Sequence, residues 1–322
     1  MLKKIFVGLL AISLSLSLFS CKKKEDKFPA KQVTIIMPWS VGGGPDTIAR
    51  KVASYGEKYL GVPVIVENHT GGSGTVAMSD FMAAEADGYT MVLCNGPLFS
   101  LTPNFIQGTN YKLEDISPLI GMRQVEFVVL SNPKNTGIKT LEDLKAYGKS
   151  GKTVKYATTG GPGNDSYTMI SVLFKKLDIP AEAVPFDGGQ EAINALAGGH
   201  VDIAIGSPPV YREYVKSGEF ACLGTFIPDG IEVEGIGEIP SFKSMGVDAE
   251  FVGMDYFAVK SDVDAEKKQI LTDFIKKVYA DQEFQTFMSD MGMKAWEADD
   301  KEILDAINKQ TEDMKQYVEL LQ

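Results

Sequence analysis

Four short stretches of the sequence set glycine beside hydroxyl, amide and carboxylate side chains: SVGGGPDT from Ser40, NHTGGSGT from Asn68, TTGGPGNDS from Thr158 and PFDGGQ from Pro185. Their chemistry is that of holding a solute rather than of breaking a bond. Glycine lets bare backbone N–H groups come close to a ligand. Where such a turn opens a helix, the unpaired N–H groups and the positive helix end favour an anion. In the first stretch Gly42, Gly43 and Gly44 precede Pro45, which suits the first helical turn. Asp46 then falls in that turn, either as a capping acid or beside the bound solute. Because Asp46 would repel a carboxylate in direct contact, a bridging water is expected between them. The third stretch offers the Thr158, Thr159 and Ser166 hydroxyls, donors near Gly161 and Gly163, and the Asn164 amide, although Asn164 or Asp165 reads equally as a helix cap. Ser73 and Thr75 come from the second stretch and Asp187 from the fourth. Trp39, just ahead of the first, either floors a cleft or packs in a hinge; Ser207 stands where it could face a ligand.

Other chemistries find little material. No Lys completes a GxxxxGK[ST] phosphate loop at the first turn, and GxGxxG is missing there too. GGSGT lacks the form of a nucleophile elbow, and neither His69 nor His200 has a partner nameable from sequence, so no enzyme is expected. Two histidines are a poor basis for a metal site, and no cofactor or metal is expected. The 322-residue chain carries a net charge of −11. Removing a leader with Lys3 and Lys4 leaves 30 basic against 43 acidic residues, or −13, which argues against nucleic acid as a partner. An anionic solute must therefore be attracted by a local pocket.

The elements that must carry these loops alternate. Val33–Met37 reads as a strand, followed by a helix with Ile48, Val52, Tyr55 and Tyr59 on one stripe, stopped near Gly61. Strands at Val64–Val66 and Tyr89–Leu93 follow. The plan then recurs: a strand before TTGGPGNDS, a helix burying Tyr167, Ile170, Phe174 and Leu177, another helix from Gln190 to Ala197, and a strand at Val201–Ile205. Such alternation implies βαβ units and a largely parallel sheet in each half. QVEFVVLSN and AEFVGMDYFAVKS are extended apolar segments suited to two crossings between halves. The expected architecture is therefore α/β with two lobes joined by two hinge-crossing strands. Residues 32–124 and 253–322 form lobe 1, with the C-terminal helices packed on it, and 125–252 form lobe 2. Ligands in such sheets bind beyond the carboxyl ends of the strands, where the glycine loops fall.

At the N-terminus, Lys3 and Lys4 precede an apolar run ending in LFSC, read as a signal peptide over residues 1–20. LFSC resembles a lipobox, which makes Cys21 the expected lipidation site and residues 21–31 a polar tether to a membrane. Cys94 and Cys222, in apolar strand contexts without CxxC spacing, read as buried thiols.

The motifs IIMPWSVGGGPDTIARKVA, GVPVIVENHTGGSGTVA, ADGYTMVL, VKYATTGGPGNDSYTMISVLFKK, VPFDGGQEAINALAGGHVDIAIG and IPSFKSMGV span nearly the whole chain after the leader. Together they resemble the extracytoplasmic solute-binding proteins of the tripartite tricarboxylate transporter family, the TctC or Bug proteins. The resemblance implies a type II periplasmic-binding-protein fold that closes on a small organic acid and delivers it to the permease subunits of a tripartite transporter. It also implies a location in the periplasm or cell envelope and, by default, a monomer. Carried over by position, the ligand contacts are Trp39, Ser40, Gly43, Asp46 and Ser73 from the first lobe, and Thr158, Gly163, Asn164, Asp165 and Asp187 from the second. The family commonly has serines where this chain has Asn164 and Asp165; the extra acid either weakens polycarboxylate binding or holds a ligand amine. A sensory receptor of the same fold coupled to a membrane kinase, and an envelope enzyme, are the alternatives.

Overall fold

The computed structural model describes residues 27–293 and 295–322, so the expected leader and Cys21 lie outside the described residues. The unit Lys31–Gln322 contains two five-stranded sheets built on one plan. In lobe 1 the chain runs β1 (Val33–Met37), α1 (Gly44–Ala53), β2 (Val64–Asn68), α2 (Thr75–Ala83), β3 (Thr90–Asn95) and β4 (Ile116–Val125). Lobe 2 follows with β5 (Val128–Ser131), α3 (Leu141–Lys149), β6 (Val154–Thr159), α4 (Asp165–Leu177) and β7 (Ala181–Phe186). It continues through α5 (Gly189–Ala197), β8 (Ile203–Gly206), α6 (Pro208–Lys216), β9 (Ala221–Thr225) and a hairpin of β10 (Ile231–Val233) with β11 (Gly237–Ile239). The chain then returns as β12 (Gly253–Lys260), α7 (Ala265–Tyr279), α8 (Gln282–Asp290) and α9 (Asp300–Leu321).

The sheet orders are β2-β1-β3-β12-β4 and β7-β6-β8-β5-β9. In each, three parallel strands meet an antiparallel fourth, which is the strand arriving from the other lobe. β3 and β12 are buried along almost their whole length, as strands covered on both faces must be, and their sequences are correspondingly apolar. α1 buries Ile48, Ala49 and Val52 against its sheet. The stripe then continues through a wide turn at Gly56–Leu60, where Tyr55 and Tyr59 stack at 5.7 Å, before Gly61 ends it in a left-handed conformation. Only Glu126 and Phe127 separate β4 from β5, and β12 starts at Gly253, paired with Val125. Both crossings therefore leave lobe 1 side by side.

The C-terminal helix departs from the expected packing on lobe 1 alone. Ile303 and Ile307 enter the lobe 1 core beside Ile36, Met78 and Tyr256, whereas Met314, Tyr317 and Val318 enter the core of lobe 2 with Val129, Leu173, Phe226 and Phe251. Its 22 residues reach about 33 Å, more than one lobe needs, and the apolar stripe runs the full length. Tyr317 Oη accepts the Glu250 N–H (2.9 Å), and Gln310 donates to the Val252 carbonyl (3.2 Å), so the helix also holds the second crossing. Cys94 on β3 and Cys222 on β9 are free thiols in different sheets.

Candidate functional site

A cavity lies between the lobes, at the carboxyl ends of the sheet strands. About 50 Å³ of it is open to the centre of a water molecule, room for roughly four waters or a solute of like bulk. The N-termini of four helices line it: α1 through Gly43 to Pro45, α4 through Asn164 and Asp165, α5 through Gly189, and α6 through its cap Ser207. α1, α4 and α5 bring unpaired N–H groups and a positive partial charge, whereas α6, opening on Pro208 and Pro209, brings its dipole, and the four converge because both sheets present their strand ends to the same space. Trp39, Asn95, Val125 and Phe127 complete much of the wall.

At the hinge side of this cavity Arg123 of β4 faces Asp255 of β12, its register partner. Arg123 Nε donates to Asp255 Oδ2 at 2.7 Å, and both residues are 3% exposed. Arg123 Nη1 lies 3.3 Å from Ser207 Oγ, so the guanidinium spans the lobes. Gly44 allows this: a Cβ there would lie 3.0 Å from Arg123 Nη1 and 3.4 Å from Ser207 Oγ.

Asp165 is 5% exposed, and its Oδ1 accepts the Ser166 N–H at 2.8 Å. Burial, then the charge of Asp255, push its carboxyl up to about 7, with Arg123 opposing. A carboxyl raised by folding contributes stability that is present below its ordinary range and lost as pH rises through 7. Asp165→Asn is therefore expected to melt higher than the parent at pH 8, and the gap to close by pH 4–5; thermal denaturation of both proteins across that range checks it.

Of the residues picked out in the sequence, Trp39, Gly43, Asn164 and Asp165 line the cavity. Asp46 sits beside it, turned into lobe 1. Its carboxylate, 1% exposed, accepts the Gly42 N–H (2.9 Å), Arg50 Nε (3.0 Å) and Asn68 Nδ2 (2.8 Å). It braces the glycine turn, with both oxygens engaged within lobe 1. Thr158 is buried behind the wall, its hydroxyl on the Gly160 carbonyl (2.8 Å), while Thr159 lines the cavity. Ser40, Ser73, Gly163 and Asp187 form the seam between lobes. The Ser40 N–H donates to the Asp187 carbonyl (3.1 Å), Ser73 Oγ to the Pro162 carbonyl (3.1 Å) and Thr102 Oγ1 to the Gly163 carbonyl (3.0 Å). Arg212 of α6 reaches the Asp290 carbonyl at the end of α8. His69 is taken up by Asp80 (2.6 Å), within lobe 1. Arg123, Asp255 and Asn95 were not singled out; their signal was polarity inside apolar strand runs, GMRQV, GMDYF and VLCN.

Gly163 makes the seam sensitive to one methyl group. It sits at φ +86°, and a Cβ would come within 2.9 Å of Thr102 Cα on the opposing lobe. Gly163→Ala should weaken solute binding about tenfold, since the clash burdens the closed state; calorimetric titration measures it.

Residues 48–322 match the sequence profile of the tripartite tricarboxylate transporter family receptor. The chain belongs to this family. The receptor is 28% identical over 219 residues to a UPF0065 protein of Cupriavidus necator, a stretch covering 66% of the receptor and 64% of that relative. Its fold matches an R. palustris protein solved with adipate (TM-score 0.83, 18% identity, 91% of the receptor and 98% of that chain). It likewise matches MatC of Rhodopseudomonas palustris solved with malate (TM-score 0.81, 20% identity, 92% and 100%). The two lobes are thus those of a periplasmic-binding-protein fold, and the chain is a binding receptor rather than an enzyme.

Proposed function

We propose that this receptor captures a small organic acid between its lobes and hands it to the membrane permease subunits of a tripartite transporter. The observation that carries the reading is the convergence of four helix N-termini and Arg123 on one buried cavity, an arrangement that attracts a carboxylate. Adipate and malate in the two structural neighbours agree with that ligand class. Closure follows from differential affinity: a solute held by lobe 1 alone gains the α4, α5 and α6 ends only when the seam is made. Among the described residues no helix is long and apolar enough to cross a membrane. On the family match and the LFSC leader we place the body in the periplasm or cell envelope as a monomer, tethered through a lipid on Cys21. Site contacts in this reading come from Trp39, Gly43, Asn164 and Asp165, with Ser40, Ser73, Gly163 and Asp187 closing over the solute.

A panel of mono-, di- and tricarboxylates, hydroxy acids and amino acids tested by thermal shift and calorimetry decides the matter. At least one should raise the melting temperature in proportion to its concentration. A folded protein indifferent to the whole panel would remove the receptor reading.

A further inference from the structure

The cavity holds one cation and two carboxylates, and they are not matched evenly. Asp255 has its partner in Arg123 at 2.7 Å. Asp165 opens the first turn of α4, lines the same cavity, and among the described residues pairs with no Lys, Arg or His. A ligand carboxylate drawn to the helix ends and Arg123 would share about 50 Å³ with it. Like charges that close, with little water between them, repel strongly. A solute with a second carboxylate would meet Asp165 as a further anion; one with an ammonium group would turn the repulsion into a hydrogen-bonded ion pair.

Resting on the receptor reading above, we propose that the solute is a compact zwitterion whose carboxylate faces Arg123 and the helix ends and whose ammonium group is bound by Asp165. Compactness follows from the cavity's size, and the polarity from the placement of Asp165 apart from the Arg123–Asp255 pair. The groups facing Asp165 are Asp255, which raises its carboxyl, and Arg123, which lowers it. With the lobes closed and no cation beside it the Asp165 carboxyl is raised to about 7, whereas an ammonium ion keeps it ionised, so a zwitterion binds without drawing a proton onto it. A plain carboxylate would do the reverse and draw a proton onto Asp165.

Proton uptake on binding therefore tests the assignment. The mature chain is titrated at pH 7 in two buffers of different ionisation enthalpy. The probes are glycine, alanine, serine and β-alanine on one side, and acetate, lactate, malate and adipate on the other. Tightest binding by a zwitterion without proton uptake, weakened about 30-fold or more in Asp165→Asn, supports the proposal. Asp165→Ser serves as the second variant, with melting temperatures showing both to be folded. Tightest binding by a plain acid with proton uptake, or a zwitterion whose affinity is the same in both variants, overturns it and leaves the receptor reading standing. No binding by either class overturns both.

Discussion

Arg123→Met is expected to abolish solute binding and to lower stability by about 3–5 kcal/mol, because Asp255 then stays buried without its cation. The methionine fills much of the same space, so the loss is one of charge pairing. Burial already raises the Asp255 carboxyl, and Arg123 is what opposes that rise. Without Arg123 the carboxyl rises further, and the stability it contributes is present in acid and lost as pH increases. The variant should therefore approach the parent near pH 4 and fall furthest behind at pH 8 in urea unfolding. Arg123→Met with Asp255→Asn should recover most of the stability and none of the binding. That separation would distinguish the pair's part in folding from Arg123's part in attracting the solute.

Tyr317→Ala carries the second large effect. Removing this aromatic ring from the lobe 2 core should cost about 3–5 kcal/mol, and it also strips the Glu250 N–H of its acceptor at the crossing. Tyr317→Phe keeps the ring and should cost only about 1 kcal/mol. Because α9 is shared, the parent is expected to unfold in one calorimetric transition. In Tyr317→Ala, lobe 2 should melt ahead of lobe 1 and the trace should broaden or split.

Much of this molecule was readable from periodicity and turn chemistry. The strand into VGGGPD, the matching TTGGPGND turn and the two lobes follow from alternation of apolar runs with glycine at strand ends, which are local signals. The site was read as loops because glycine announces itself. Arg123 and Asp255 instead sit inside strands, and their meeting depends on β4–β12 register between residues far apart in sequence. Asp46 shows the same limit from the other direction. Its bond to Arg50 lies within one helical turn, but Asn68 reaches it only through the pairing of β1 with β2, and that third bond completes its engagement with lobe 1. The apolar stripe of α9 was visible as a helix, but sequence spacing does not say which core receives each end.

That helix also sets an order of assembly during synthesis. Met314, Tyr317 and Val318 leave the ribosome after every strand of both sheets, yet they complete the interior of lobe 2, whose own strands were made long before. The nascent polypeptide thus carries an unfinished apolar surface on lobe 2 until α9 has been made.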